Sequence, residues 1–224
     1  MQIIPIIYFS DVLCIWAYIA QLRVDAIKSA FPDQVRFDNR FCSVFGDTRR
    51  KIATTWGAED GYARFNAHLR HSAEAFPEVR INPNIWLTVR PASSMAAHLF
   101  LKAAQLAEAD GLCKAGTCDT ITRQARKAFF EQALNVTDLG VLHDIAADAG
   151  ADVAAIESLV DDGRAFAALA SDYQDADAMR IQGSPSFVLN DGRQKLYGNV
   201  GFRIIEANIQ ELLRTPHPDQ ASWC

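Results

Sequence analysis

Both ends of this chain read as strand-bearing units and the long middle does not, and that division limits the fold more than any other feature. Residues 3–9, IIPIIYF, are β-branched and aromatic, with Pro5 near a strand start. Over residues 15–31 the apolar positions Tyr18, Ile19, Leu22, Ala26, Ile27 and Ala30 recur at helical spacing until Pro32 stops them. Residues 35–42, VRFDNRFC, alternate as a half-buried strand does. This opening has the length of a right-handed βαβ unit. Strands return at SPSFVLNDGRQKLYG, with one expected over 186–190, an Asp191-Gly192 hairpin turn and a second over 193–197. Phe202, Ile205, Ile209 and Leu212 then mark a last helix, stopped by Pro216.

Between these ends the pattern is helical. Tyr62, Phe65, Leu69 and Ala73 share a face over residues 61–76. Ser93 or Ser94 is expected to cap a helix holding Met95, Leu99 and Leu106 and closing at Gly111. Asp119 is expected to cap another, with Ile121, Ala125, Phe129 and Ala133. Shorter helices are expected over 138–150 and 152–163, and a longer one over 165–179. No internal period appears. The order βαβ, helices, ββα predicts an α/β fold in which one mixed four-stranded sheet is interrupted by a large helical insertion. The sheet domain is discontinuous, over residues 1–45 and 180–215, with the insertion over 46–179 and a loosely held tail over 216–224.

A formal net charge of −5 argues against a polyanion-binding surface, so no nucleic-acid partner is expected. Arg49-Arg50-Lys51, the dense positive cluster, reads as a solvated face. No stretch is long and apolar enough to span a bilayer. The start, MQIIPIIYFS, shows no basic leader and no small-residue cleavage site, which points to a cytoplasmic protein. The five cysteines, Cys14, Cys42, Cys113, Cys118 and Cys224, are odd in number and scattered, a set that reads as free thiols rather than a disulfide scaffold.

Cys14, in YFSDVLCIWAYIA, sits where the first strand gives way to the first helix. Unpaired N–H groups and the positive dipole end favour an anion there, so its pKa is expected to be lowered and its thiolate nucleophilic. The alternative is an inert, half-buried cysteine. At the other end of the chain, Gly183-Ser184-Pro185-Ser186 leads into a strand of the same sheet, and Pro185 is a candidate for a cis bond. Such a bond would present the Ser184 backbone to a bound peptide or thiol compound.

The pair SDVLCIWAY and GSPSFVLNDGRQKLYG, with a helical insertion between, resembles the DsbA-like thioredoxin-fold family, in particular its cytoplasmic branch of FrnE-type oxidoreductases and 2-hydroxychromene-2-carboxylate isomerases. The resemblance covers essentially the whole chain and implies a thioredoxin-like sheet domain. It makes Cys14 the attacking cysteine and Pro185 a cis-proline facing it. Where that branch reads Cys-Pro-Trp-Cys, this chain has Ile15 for the proline, keeps Trp16, and has Ala17 for the resolving cysteine. The chemistry implied is monothiol: a mixed disulfide on Cys14 that an outside thiol such as glutathione resolves. The resemblance thus implies glutathione as a candidate co-substrate, and no covalently bound cofactor is expected. The isomerase relatives supply an alternative, activation of glutathione sulfur toward a small aromatic substrate, although they carry serine at the position of Cys14. A redox-silent cleft that binds a peptide or partner protein is the third reading. A small thiol or disulfide-bearing compound is the expected partner, and a homodimer is left open.

The resemblance also places Trp16 on the wall of the substrate cleft, with Ser184 positioning the partner. Asn82, Trp86 and Arg90 lie on the link into the helical block, where relatives line the cleft. Arg90 is either a forked anchor for a carboxylate of glutathione or substrate or a helix-bridging ion pair. Cys113 and Cys118 read as free loop thiols or an adventitious disulfide, and Cys42 as a small core residue. Cys224 is a bystander or a second resolving thiol. His68 and His71 read as solvated helix residues, and no metal site is expected.

Overall fold

The computed structural model describes residues 3–214. The opening unit is β1 (Ile4–Ser10), α1 (Ile15–Ala30) and β2 (Val35–Phe41). Seven helices follow: α2 (Thr48–Trp56), α3 (Gly61–Ala73), α4 (Met95–Ala109), α5 (Thr117–Phe130), α6 (Leu139–Asp148), α7 (Val153–Asp161) and α8 (Arg164–Ala178). The chain then returns to β3 (Ser186–Leu189), β4 (Gln194–Tyr197) and α9 (Phe202–Leu213).

The four strands form one mixed sheet in the order β2-β1-β3-β4. β1 runs parallel to β2, pairing Ile4 with Val35 and Ser10 with Phe41, and antiparallel to β3, pairing Phe9 with Ser186. Strand alternation explains how the central strand serves two layers. Ile4, Ile6 and Tyr8 face Val24 and Ile27 of α1 and Ile205, Ile209 and Leu212 of α9. Ile7 and Phe9 join Val188 on the other face, against Ala176 near the end of α8. The first cluster alone buries several full side chains, each stabilising by about 1.5–3 kcal/mol.

A separate, larger core fills the helical block, with Trp86 fully buried at its centre. The rings of Phe45, Phe65 and Phe129 surround it at 5.4, 5.5 and 5.1 Å. The N-terminal part of α1 belongs to this core through Ile15, Ala17, Tyr18 and Ile19, while Val24 and Ile27 belong to the sheet core. One helix therefore ties the two cores together.

Several expectations are corrected. The helix assigned to Asp119 starts at Thr117 behind Gly116, whose φ of 86° suits glycine, and Asp119 instead lies in its first turn, bonded to Lys28 and Asn39. Helix α2, capped by Asp47 through the Arg50 N–H at 2.9 Å, is not evident in the sequence, because it buries only Thr48 and Ile52. The hairpin turn is not a two-residue one: Asn190, Asp191 and Gly192 all have positive φ. The helix expected over 61–76 ends at Ala73. Pro216, the tail and Cys224 lie outside the described residues.

Candidate active site

The turn between β1 and α1 delivers Cys14 to the helix start. Its N–H donates to Asp11 O at 3.1 Å, and its carbonyl accepts from the N–H groups of Ala17 and Tyr18, both at 3.1 Å. Cys14 is the N-cap of α1, with extended backbone angles. Its thiol donates to the Ser184 carbonyl at 3.2 Å, and the Asp11 N–H donates to Ser184 Oγ at 2.9 Å. Ser184 thus grips the cysteine turn twice. The Ser184–Pro185 peptide is cis, and Pro185 O accepts from Gly198 N–H at 2.8 Å.

Beneath this turn lies a polar cluster that the sequence reading does not single out. Asp11 is fully buried. Its Oδ1 accepts from the Leu13 N–H at 2.9 Å, and its Oδ2 accepts from the Phe45 N–H at 2.8 Å and the Ser94 hydroxyl at 2.9 Å. Ser94 therefore bonds across the fold and does not cap α4 with its side chain. His98 of α4 is also fully buried, stacked on Phe41 with ring centroids 4.6 Å apart. Its Nε2 accepts from the Val12 N–H at 3.1 Å, and its Nδ1 lies 2.9 Å from Tyr173 Oη. Asp11 Oδ1 is farther from Nε2, at 3.5 Å. We assign the Nδ1–H tautomer, because the Val12 bond needs a bare Nε2 and is the shorter. Burial pushes the Asp11 carboxyl up, but the His98 ring and the backbone donors outweigh it, and the group is held below the usual carboxylate range. The part of this lowering that comes from His98 belongs to a protonated ring, whereas the Phe45 and Leu13 N–H groups favour the carboxylate whichever tautomer the ring holds.

These surroundings overturn the expectation of a lowered Cys14 pKa. The thiol is 5% exposed, and burial raises its pKa. The Ser184 side chain and the helix-start N–H groups of Ala17 and Trp16 oppose burial, the Asp11 charge adds to it, and the net shift is upward. A helix N-terminus favours a thiolate only where desolvation and a neighbouring anion do not outweigh it. At rest Cys14 is a thiol that donates.

Cys42, at the end of β2, is buried beside the same loop, its sulfur 4.0 Å from Gly183 O, and burial pushes its pKa up strongly. A cavity of about 490 Å³, lined in part by Cys42, Ser43, Val44, Lys51, Tyr173 and Gly183, opens beside this loop. Trp16 follows Cys14 closely in sequence and is half-buried against the helical core. Asn82 and Arg90 are engaged elsewhere. The Asn82 side chain donates to Glu131 O at 3.3 Å and accepts from the Asn84 N–H. Arg90 donates to Trp86 O at 3.2 Å and lies 4.5 Å from the Tyr62 ring centroid. Neither of these bonds reaches Cys14. Cys113 and Cys118 are free thiols, and the Cys118 sulfur lies 3.6 Å from Leu101 O. His68 packs on Trp56, and His71 pairs with Glu74 at 3.2 Å.

The DSBA-like thioredoxin domain family matches residues 5–210 of the chain. Among solved structures, the fold is similar to a probable DsbA oxidoreductase from Streptomyces coelicolor, at 19% identity and a TM-score of 0.72 over 99% of each chain. It is similar to the cytosolic disulfide reductase DsbM from Pseudomonas aeruginosa, at 18% identity and a TM-score of 0.69 over 95% of this chain and 100% of that one. The same reductase solved with GSH matches at a TM-score of 0.66, with 18% identity over 93% and 98%. A 2-hydroxychromene-2-carboxylate isomerase matches at 13% identity and a TM-score of 0.63, over 93% and 95%. No curated protein matches the chain. At these identities the solved structures speak for the fold.

Proposed function

The chain belongs to the DSBA-like thioredoxin domain family, and we propose that it is a thiol–disulfide oxidoreductase working through one cysteine, Cys14, with glutathione as the external thiol. The observation that carries this reading is the bond from the Cys14 thiol to the Ser184 carbonyl beside a cis-proline, with alanine three residues further on. The Cys14 thiolate, formed on loss of its proton, attacks one sulfur of a disulfide RSSR′. A new S–S bond joins Cys14 to RS, and R′S⁻ leaves and takes up a proton. Glutathione thiolate then attacks the RS sulfur of the adduct, returning the Cys14 thiolate and releasing RSSG.

The raised pKa sets the direction of this chemistry. A thiol whose deprotonated form is disfavoured does not stabilise the reduced state in the way that makes a site strongly oxidising. Cys14 is accordingly suited to reduction or glutathione-linked transfer and not to disulfide donation. The Pseudomonas protein of similar fold, a cytosolic disulfide reductase, supports the same direction. The free cysteines among the described residues fit a reducing, cytoplasmic setting, and no described helix is long and apolar enough to cross a membrane. The cavity beside Cys42 and Gly183 offers a groove for a small disulfide.

A second reading rests on the same bond. A thiol that donates at rest can also donate to the sulfur of bound glutathione, the arrangement a glutathione-dependent isomerase of a small aromatic substrate would need, and the isomerase shares the fold. Oxidised glutathione distinguishes the two. A glutathionyl mass increase on Cys14, removed by reduced glutathione and absent in Cys14→Ser, supports the oxidoreductase. Reversible glutathione binding without any adduct supports the isomerase.

A further inference from the structure

We propose that the cavity between α1 and α5 is a binding site for a small amphipathic monocarboxylate. It measures about 360 Å³ and is walled by α1, by the segment around Val79 and by the end of α5. That volume is at the lower end of the range of pockets that take small molecules, which favour junctions between cores. Its Tyr18 wall packs in the helical core, one helical turn beyond Cys14.

Arg126 gives the site its sign. Its side chain is 2% exposed, yet its bonded partners are neutral: Gln21 Oε1 at 2.6 Å and Ser10 Oγ at 2.9 Å. Its Nε has no partner, and the guanidinium forms no ion pair among the described residues. A buried cation held only by neutral groups is costly, and an anion at this wall relieves the cost. Arg126 also borders a cavity of about 20 Å³ shared with Tyr8, whose hydroxyl likewise lacks a partner.

The other charges set the valence of the ligand. Arg123 is committed to Asp25 through a forked contact at 2.5 and 2.8 Å. Arg126, Arg80 and Lys127 remain without an ion pair among the described residues, against the lining acids Glu78 and Glu131. Glu131 accepts from the Tyr18 hydroxyl at 2.5 Å. Three cations against two carboxylates leave one positive charge, enough for a single carboxylate. Leu22, 44% exposed at the wall, and Val79 supply the apolar surface for the rest of the molecule. Polar groups at one end and apolar ones at the other select an amphipathic acid.

The site does not require redox chemistry at Cys14, so the test separates the two. Titration calorimetry of the full chain with 4-phenylbutyrate at pH 7 in chloride-free buffer should show one binding event. Its neutral amide should bind at least tenfold more weakly. Arg126→Met should weaken binding at least tenfold, and so should Arg80→Glu with Lys127→Glu, two accessible positions that keep the test open if Arg126→Met does not fold. Cys14→Ser should bind as the natural chain does. Absence of binding, equal binding of the amide, or no effect of the Arg80 and Lys127 reversals overturns the proposal. So does a site that takes chloride while excluding phenylbutyrate.

Discussion

The thiol of Cys14 and the carbonyl oxygen of Ser184 lie 3.2 Å apart although 170 residues separate them in the chain. The bond exists because β1 and β3 are neighbours in the sheet, with Phe9 opposite Ser186, so the turn leaving one strand meets the loop entering the other. It also means that the sulfur at rest is occupied by the backbone a substrate must approach.

Cys14 should therefore alkylate slowly. Its midpoint for reaction with iodoacetamide, followed by peptide mass, should lie above the value near 8.5 of an ordinary thiol, because burial and the Asp11 charge both disfavour the thiolate. Asp11→Asn removes the charge and should lower that midpoint. A natural-chain midpoint below that of free cysteine would show that the helix start dominates after all.

Asp11 should also shape acid stability. Its folded-state pKa is depressed, so near and below the unfolded value the unfolded chain binds more protons, and stability rises with pH there. The contribution is complete above about pH 5 and fades as pH falls through the folded value. Urea melts across the acid range should show a flatter pH dependence in Asp11→Asn. The variant should also be less stable at neutral pH by about 1–3 kcal/mol, since its donors lose a charged acceptor. Parallel pH curves for the two chains would exclude Asp11 as the titrating group.

The buried pair of Lys102 and Asp172, 2.5 Å apart with each side chain 8% exposed, permits a stability test away from the site. Lys102→Met leaves the Asp172 carboxyl buried without its cation and should cost about 3–5 kcal/mol. Adding Asp172→Leu should recover part of that loss only, because the Phe41 N–H, which donates to Asp172 at 2.9 Å, then has no acceptor. Denaturant melts read both. Full recovery in the double variant would mean that the Phe41 bond contributes nothing.

Period and punctuation in the sequence mark most of the helices and all four strands, since each carries its own apolar rhythm. They also place Cys14 at a helix start and Pro185 before the strand beside it. Local reading ends where a side chain serves a distant element. Ser94 looks like a cap by its position, yet its hydroxyl goes to Asp11, 83 residues back. His98 looks like one more residue on a helix face, yet it receives the Val12 N–H across the fold. Asp11 is the signal that was open to reading: an acid three residues before a candidate thiol opposes the thiolate that the helix start promotes. The helix start favours the thiolate, and burial, which sequence alone does not show, outweighs it.

Ala17 permits the most direct test of one-thiol chemistry. It is fully buried, with its N–H donating to Cys14 O at 3.1 Å, and it sits three positions after the thiol on the same helix. That spacing brings the two Cβ atoms to about 5–6 Å, from which a disulfide forms with small adjustment. Ala17→Cys places a sulfur in packed space and should cost about 1–3 kcal/mol, seen as a lower denaturant midpoint. Its chemical effect should be opposite in sense. In the natural chain a glutathione adduct on Cys14 has no cysteine neighbour on the helix to expel it, so it should persist until an outside thiol arrives. In the Ala17→Cys variant the introduced thiol should attack the Cys14 sulfur, release glutathione and leave an internal disulfide between the two positions. Intact mass after brief exposure to oxidised glutathione should show the adduct in the first protein and the internal disulfide in the second. Insulin reduction driven by a small thiol should be faster in the variant. If the natural chain releases its adduct equally fast, another thiol resolves it, and Cys42, across the same loop, is then tested by Cys42→Ala.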